Sequence, residues 1–568
     1  MVAGAKNSYL ENMPKFEISK SDLEKLVGKR FSLKDLEDAL LFAKTELDSH
    51  DGDKLKVDVK DTNRPDLWSV EGIARELKGH LRKEDGLPKY TVKKAGWKIL
   101  VGGGKVQPFT TAAIVRNLKI DKNVLAQMIQ LQEKIAGTFG RNRKSISSGA
   151  YDLSKIEFPL KYTAMKPWQI KFRPLGFPKE LSAKEIIENH PKGKQYGHLL
   201  FEAEEYPVWL DAKNRVLSMP PIINSEDMGN VTEKAKDIFI ECTGNDLRQL
   251  NTAINVLAAA LAERGGQIEG VEIIYRNKKI IKPDLSPKKA HLDPEYCRKI
   301  LGLEISDTEM IRLLKEARYN AKLDQKKIHV EYAAYRNDIM HQRDLVEDVA
   351  ISFGYNDIEP QIPKIPTVGS SDELEDFSNS VREICIGLGL QEVLTFTLTN
   401  KENMFKKMNL PEGKIVEIEN PMSANWCSFR DKLMPNLLEF LSFNKNQDYP
   451  QCIFEVGDVV LLDTLNKETG VTSRRMLSST LTNTQIGYED VSSILSSLLL
   501  NLGLKAVLKK TSHNSFIQGR AAEVVANGRR IGLAGEIHPQ VLNNWNLEKP
   551  VAGFEIDLEE IFNLLNNR

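Results

Sequence analysis

The 568-residue chain has little cysteine, no excess of either charge and no long apolar run, and each shortage removes a class of function. Its five cysteines (Cys242, Cys297, Cys385, Cys427 and Cys452) lie far apart and form no CxxC pair, so neither a zinc-ligand set nor a disulfide framework is supported. They fit a reducing compartment. Lysine plus arginine and aspartate plus glutamate number 79 each, so no global basic excess points to nucleic acid and any RNA contact has to be local. No stretch of about 18 apolar residues occurs and the first dozen residues lack the apolar core of a signal peptide, so the sequence reads as cytoplasmic, with no membrane partner. What remains is a globular composition, 41% hydrophobic and 28% charged. At roughly 150 residues per domain its length suggests about four domains.

Residues 1–13 read as an N-terminal extension, because Met13-Pro14 resembles a second start. Residues 14–105 read as an α/β domain: Asp35–Leu47 is periodic as a helix, Lys54–Asp61 alternates as a strand, and the turn TNRPD opens a second helix. Asn63, Arg64 and Asp66 in that turn read as a strand-turn-helix needing no ligand. Residues 106–276 have a second α/β pattern, with the hairpin VWLDAKNRVLS ended by Pro220-Pro221, the strand KDIFIECTG and a long helix closed by Gly265 and Gly266. Residues 284–360 read as a small winged module of two helices, a strand pair and an acidic helix. The Pro-punctuated stretch 359–373 reads as a linker. From 374 to 568, helices alternate with strands such as QEVLTFTLT, IVEIENP, CIFEVGDVVLL and VAGFEIDL, the pattern of an antiparallel sheet with flanking helices. The class is thus multidomain, mixing α/β and α+β.

The stretch Arg336–Ala350 sets out Asp338, Asp344, Glu347 and Asp348, the last three at i, i+3 and i+4 on one helical face. Like charges on one turn repel, which suits a hard cation such as Mg2+ against them. It equally suits Asp344 capping the helix while the other acids complement its dipole. Spacing leaves both open.

Four segments, RPDLWSVEGIAREL, VLSMPPIINSE, RNDIMHQRDLVEDVAISFGYNDI and GLAGEIHPQVL, in this order and separation, resemble the beta subunit of phenylalanyl-tRNA synthetase, of the archaeal type. The resemblance covers nearly everything from Met13 onward. It implies a heterotetramer of two alpha and two beta chains acting on tRNA(Phe), in which the alpha chain binds ATP and phenylalanine. Consistent with that division, the last domain resembles a class II synthetase core but has no GxGxxxR-like motif. Arg430 in CSFRDKL is the nearest match to an ATP-binding arginine and is followed by Asp431 and Lys432, so a pseudo-catalytic, subunit-binding domain is expected. The resemblance further implies that Asp338, Asp344, Glu347 and Asp348 hold Mg2+, some through waters.

Residues 106–276 resemble the family's editing domain. An apolar phenylalanine pocket rejects an added hydroxyl by only about a hundredfold, so tyrosine leaks through and a second site has to hydrolyse Tyr-tRNA(Phe). Matching positions are Ser218, Glu241 and Thr243, with Glu241 as phenol acceptor and Pro207–Leu210 and Pro220-Pro221 as walls. The basic turn Gly140–Ser145 is either a phosphate contact or a solvated loop, His198 either lines the pocket or packs, and Cys242 should face away from Glu241 and Thr243. No Ser-His-Asp or Cys-His arrangement is readable, which favours attack by water. The alternative is a structural, tRNA-docking subunit with a decayed editing site.

Overall fold

The computed structural model describes residues 15–566, so the expected extension 1–13 lies outside the described residues. The chain divides into two compact units, Met1–Ile362 and Pro363–Arg568, parted within the Pro-punctuated stretch. Among the described residues no helix is long and apolar enough to cross a membrane.

The first unit begins with β1 (Lys15–Ser19), α1 (Lys20–Val27), α2 (Leu33–Phe42), β2 (Thr45–Asp51), β3 (Lys54–Val59) and α3 (Val70–His80), with the strands ordered β1-β3-β2. Ser19 and Ser32 cap α1 and α2 by accepting from the Asp22 and Asp35 N–H groups. Next come β4 (Val92–Val101), β5 (Phe109–Arg116), α4 (Lys122–Lys134), β6 (Ile146–Asp152) and β7 (Leu160–Met165). The short pair β8 (Lys171–Phe172) and β9 (Leu181–Ser182) precedes α5 (Ala183–Asn189) and α6 (Pro191–Tyr196). The domain continues with β10 (Tyr206–Leu210), β11 (Val216–Met219), β12 (Ile223–Asn224), α7 (Glu226–Gly229), β13 (Ile238–Gly244), α8 (Leu247–Glu263), β14 (Gln267–Ile274) and β15 (Lys279–Lys282).

These strands form one mixed sheet, ordered β12-β11-β10-β7-β4-β14-β5-β13-β6, with β15 beside β14. Both of its faces are covered. Ala113 and Val115 of β5 pack with Ala253 and Leu257 of α8, whereas Ala112 and Ile114 meet Tyr151, Trp209 and Phe239 on the other side. A strand buried on both faces reads as a continuous apolar run, as FTTAAIVR does. The first domain, expected to reach residue 105, stops short of β4, which pairs in parallel with β14 and buries Ile99 in the aromatic core.

A module follows of β16 (Lys288–Leu292), α9 (Pro294–Leu301), α10 (Asp307–Glu316), β17 (Asn320–Asp324), β18 (Lys327–Tyr332) and α11 (Gln342–Phe353), with strand order β16-β18-β17. Its strand and helix sequence repeats that of residues 15–80. Gly28 and Gly302, with φ of 74° and 69°, close the first helix of each copy in the left-handed region. Ser32 and Ser306 cap the second helix. Lys44 and Arg318 both have positive φ at the turn into the second strand.

The repeat extends to charge. In the first copy Arg64 donates from Nε and Nη2 to Asp66, both at 2.9 Å, and its Nη2 lies 3.4 Å from Glu76, twelve residues on. In the second, Arg336 clasps Asp338 in the same two-pronged way and reaches Asp348, also twelve residues on, at 2.7 Å. The clusters meet: Lys44 lies 3.3 Å from Asp348, Arg64 lies 3.9 Å from Asp338, and Arg75 sits 4.2 Å from the Tyr335 ring centroid. Burial pushes the Asp348 carboxyl up, but Arg336, Lys44 and Arg64 outweigh it and hold the group below the ordinary carboxylate range.

The second unit contains α12 (Glu373–Gly387), β19 (Gln391–Glu392), β20 (Leu398–Thr399), α13 (Lys401–Met404), β21 (Ser428–Phe429), α14 (Met434–Phe443), β22 (Gln451–Leu462) and β23 (Val471–Thr482). It ends with α15 (Tyr488–Asn501), β24 (Ala506–Lys510), β25 (Phe516–Ala526), β26 (Arg529–Ile537), α16 (Pro539–Asn544), β27 (Val551–Asp557) and α17 (Leu558–Asn566). The seven-stranded sheet β19-β22-β23-β27-β26-β25-β24 is antiparallel apart from β19, as the strand spacing predicts. Val381 of α12, Leu495 of α15 and Ile561 of α17 pack on one face. IVEIENP is not a strand: only Glu417 bridges, to Ser428, Pro411 lies shortly before the segment and Pro421 ends it.

Removing one member of a buried ion cluster leaves the other charge uncompensated, at a cost of about 3–5 kcal/mol. Asp348→Asn should therefore destabilise the first unit by that order in denaturant unfolding, by the same amount with Mg2+ present or absent. A loss seen only in the presence of Mg2+ would mean that the carboxylate serves an ion and not Arg336.

Candidate functional site

Strand β13 is buried along its whole length and alternates between two cores. Ile238, Ile240 and Cys242 join the α8 side, as expected for Cys242, so Phe239, Glu241 and Thr243 face the other way. This places a carboxyl group inside the protein beside a cavity of about 210 Å3, lined by Glu241, Ser218, Ser147–Ala150, Pro220, Pro221, Asn224 and residues of α4. The Tyr151 hydroxyl, on β6, lies 2.8 Å from Ser218 Oγ and 3.2 Å from Glu241 Oε1. Glu241 Oε2 has no hydrogen-bond partner. Burial pushes this carboxyl up to about 8, against the pull of the Tyr151 hydroxyl and the Trp209 indole. A Cβ at Gly149 would lie 2.6 Å from both Glu241 Oε1 and the Tyr151 hydroxyl, so the absence of a side chain there keeps the two groups in contact.

Ser218 and Glu241 thus share one cavity, and Thr243 does not line it. Its hydroxyl is held 2.8 Å from Gln107 Oε1 and 2.8 Å from Ser147 Oγ, a buried polar knot beside the cavity. Pro220 and Pro221 form a wall as expected, whereas Pro207–Leu210 backs the site through Trp209 without lining it. His198 is exposed and outside the lining. Tyr151, Asn224 and the α4 residues are site members that sequence reasoning missed. The run of small residues SSGA before Tyr151 was the one available sign of a cavity wall.

The rim is built on the basic turn. Arg143 donates to the carbonyls of Pro221 (3.0 Å) and Ile222 (2.8 Å) and to Glu133 (2.8 Å), and lies over the Tyr196 ring at 4.4 Å. Lys192 approaches Glu133 to 3.3 Å. Burial would raise the Glu133 carboxyl, but Arg143 and Lys192 hold it below the usual range. Arg143 is therefore a strut, and Arg141 and Lys144 are the exposed members of the turn.

The four carboxylates expected to share a Mg2+ do not form one donor set. Asp338 and Asp348 face the buried arginines. Asp344 turns back to accept from the Met340 and His341 N–H groups, at 2.7 and 2.6 Å, as a helix cap. Glu347 is exposed and accepts from the Tyr355 hydroxyl at 2.9 Å. Among the described residues no three His, Cys, Asp or Glu side chains converge to hold a metal ion. The guanidinium groups already supply the fixed positive charge that Asp338 and Asp348 need, so these residues do not fit a Mg2+.

In the second unit Arg430 is buried and committed: it donates to Glu455 Oε1 (2.7 Å), Thr395 Oγ1 (2.9 Å) and the Asp458 carbonyl (3.0 Å). The same unit exposes Leu394, Phe396, Met422 and Phe443, each more than 70% accessible. Apolar exposure of this kind marks a surface meant for another protein.

Two family models match: the phenylalanyl tRNA synthetase beta chain CLM domain over residues 358–558 and the tRNA synthetase B5 domain over residues 290–355. The phenylalanine-tRNA ligase beta subunit of Pyrococcus abyssi is 47% identical over 556 residues, covering 97% of this chain and 100% of that protein. The Archaeoglobus fulgidus beta subunit is 39% identical over 505 residues, covering 88% and 90%. A solved N-terminal fragment of the Pyrococcus horikoshii beta subunit, 47% identical, superposes with a TM-score of 0.59 over 60% of this chain and 100% of the fragment. This chain belongs to the beta-subunit family of phenylalanine-tRNA ligase.

Proposed function

We propose that the chain is the proofreading subunit of a cytoplasmic phenylalanine-tRNA ligase, hydrolysing Tyr-tRNA(Phe) in the β13 cavity while an alpha partner performs ATP-dependent charging. The supporting observation is the buried Glu241 carboxyl, with one oxygen on Tyr151 and the other unpartnered. At neutral pH a carboxyl pushed up to about 8 keeps its proton. The Tyr151 hydroxyl, 2.8 Å from Ser218 Oγ, donates to Glu241 Oε1 at 3.2 Å, so the proton of Glu241 sits on Oε2. Oε2, with no hydrogen-bond partner in the chain, is the polar group left for a substrate phenol. Phenylalanine would leave it unpaired, at a cost of about 1–3 kcal/mol. The site thus selects for the hydroxyl that the apolar synthetic pocket rejects poorly. No histidine or cysteine lines the cavity, and the Glu133 carboxylate there is held by Arg143 and Lys192, so we assign the nucleophilic role to water.

Glu241→Ala should reduce hydrolysis of preformed Tyr-tRNA(Phe) by about tenfold to a hundredfold, the rate equivalent of that penalty, and leave Phe-tRNA(Phe) untouched. Absence of hydrolysis by the wild-type complex would reduce the chain to a structural, tRNA-docking subunit.

The same carboxyl makes stability pH-dependent. Its folded-state value lies above the ordinary carboxylate value, so the folded state holds the proton longer. Stability is greatest below the ordinary value and falls as pH rises through about 8, by an amount on the order of a few kcal/mol. Glu241→Gln should flatten the unfolding midpoint of the first unit over that interval, and an unchanged pH profile would show that Glu241 titrates normally.

The exposed Leu394 and Phe396 suit burial against the alpha chain. Leu394→Asp with Phe396→Asp should abolish co-purification of the two subunits while leaving tyrosine-selective hydrolysis in place. Retention of the complex would move the interface elsewhere.

A further inference from the structure

The registers of the large sheet bring four distant segments to one edge. The end of β13 at Gly244 lies opposite both Ile146, which opens β6, and Phe109, which opens β5. Strand β14 runs antiparallel to β5 and parallel to β4, so its end at Ile274 lies beside Leu100 near the end of β4. The connections leaving this edge carry Lys105, Arg141, Lys144, Arg276 and Lys278, and the first turn of α8 carries Arg248, all exposed. Among the described residues only Arg248 has an ion pair, with its neighbour Asp246 at 3.3 Å. The next carboxylates along the edge, Glu204 and Glu205 before β10, face Lys166 at 3.6 Å each.

These connections are tied to one another and to the cavity. Gln107 donates to the Arg143 carbonyl at 2.9 Å, and Asn245 donates to the Lys144 carbonyl at 3.1 Å. Arg143, between Arg141 and Lys144, lines the cavity mouth. In a chain whose charges balance at 79 each, five of these six exposed cations have no ion pair among the described residues, so the edge offers fixed positive charge to an external polyanion. The spread over several loops suits a run of phosphates and not a single anion.

We propose that this edge, Lys105, Arg141, Lys144, Arg248, Arg276 and Lys278, is a rail for the phosphodiester backbone of an RNA strand whose end enters the β13 cavity. The proposal deepens the proofreading reading and rests on it only for what the RNA end carries. Contacts of this kind are electrostatic and independent of sequence, so they set affinity and position.

The test uses the assembled ligase and deacylated tRNA(Phe), with binding measured over a range of salt concentrations. Two charge reversals, Arg141→Glu with Lys144→Glu and Arg276→Glu with Lys278→Glu, are compared with Lys326→Glu, an exposed lysine in the turn between β17 and β18. Each double variant should weaken binding at least tenfold and reduce the slope of log affinity against log salt by about 1 to 2, one contact at a time. Lys326→Glu should change neither, and the unfolding midpoints of all three should match the parent. Unchanged affinity and slope in both double variants, or an equal loss in Lys326→Glu, would overturn the rail. The two readings are read out separately: a failure of the proofreading reading appears in hydrolysis of Tyr-tRNA(Phe), and a failure of the rail appears in the binding of deacylated tRNA.

Discussion

Buried arginine is the constraint on which the first unit depends. Arg64, Arg75 and Arg336 cannot be taken out of water without carboxylates close by, and Asp66, Glu76, Asp338 and Asp348 meet that demand from two copies of one motif. Since Lys44 of the first copy lies against Asp348 of the second, neither copy completes its charge balance alone. The large sheet is inserted in sequence between them, so its first and last strands leave from a joint that charge pairing fixes. Arg264, just beyond α8, adds a second tie through Asp22 and Glu71 at 2.6 and 2.7 Å.

Much of the fold was legible where local pattern and tertiary demand agree. The hairpin closed at Asn214, the two helices and strand pair before α11 and the antiparallel sheet of the second unit follow from alternation and turn residues. Strand β4 was assigned to the wrong neighbour because VKKAGWKILV carries no sign of which sheet will receive it. The parallel pairing with β14 joins residues some 175 positions apart. The duplication was legible in principle, as Arg-x-Asp with an acid twelve residues after the arginine occurs at both Arg64 and Arg336. It went unseen because the turns differ in every other respect.

The site divides in the same way. Ser218 and Glu241 came from motif positions and do share a cavity, whereas Thr243, on the same face of β13, is turned into a hydrogen-bonded knot by Gln107, a residue no motif marks. The acidic helix shows the limit of reading charge from one strand of sequence. Four acids in fifteen residues suit a cation, but the cation that meets two of them is an arginine from the same segment, and a third is occupied as a cap. The helical spacing is real and the inference drawn from it lacked only the partner.

Buried acid in this chain meets two fates. Asp348 and Glu455 each face an arginine, Arg336 and Arg430, at 2.7 Å. Glu241 has no cation beside it and is surrounded by Tyr151, Ser218 and the aromatic core, so burial raises its value and one oxygen stays free. Leaving one oxygen of Glu241 unpaired beside a cavity bears a stability cost that a packed apolar residue would avoid. That cost is intelligible if the unpaired oxygen is completed by a hydroxyl from outside the chain, and the size of the cavity admits an aromatic side chain.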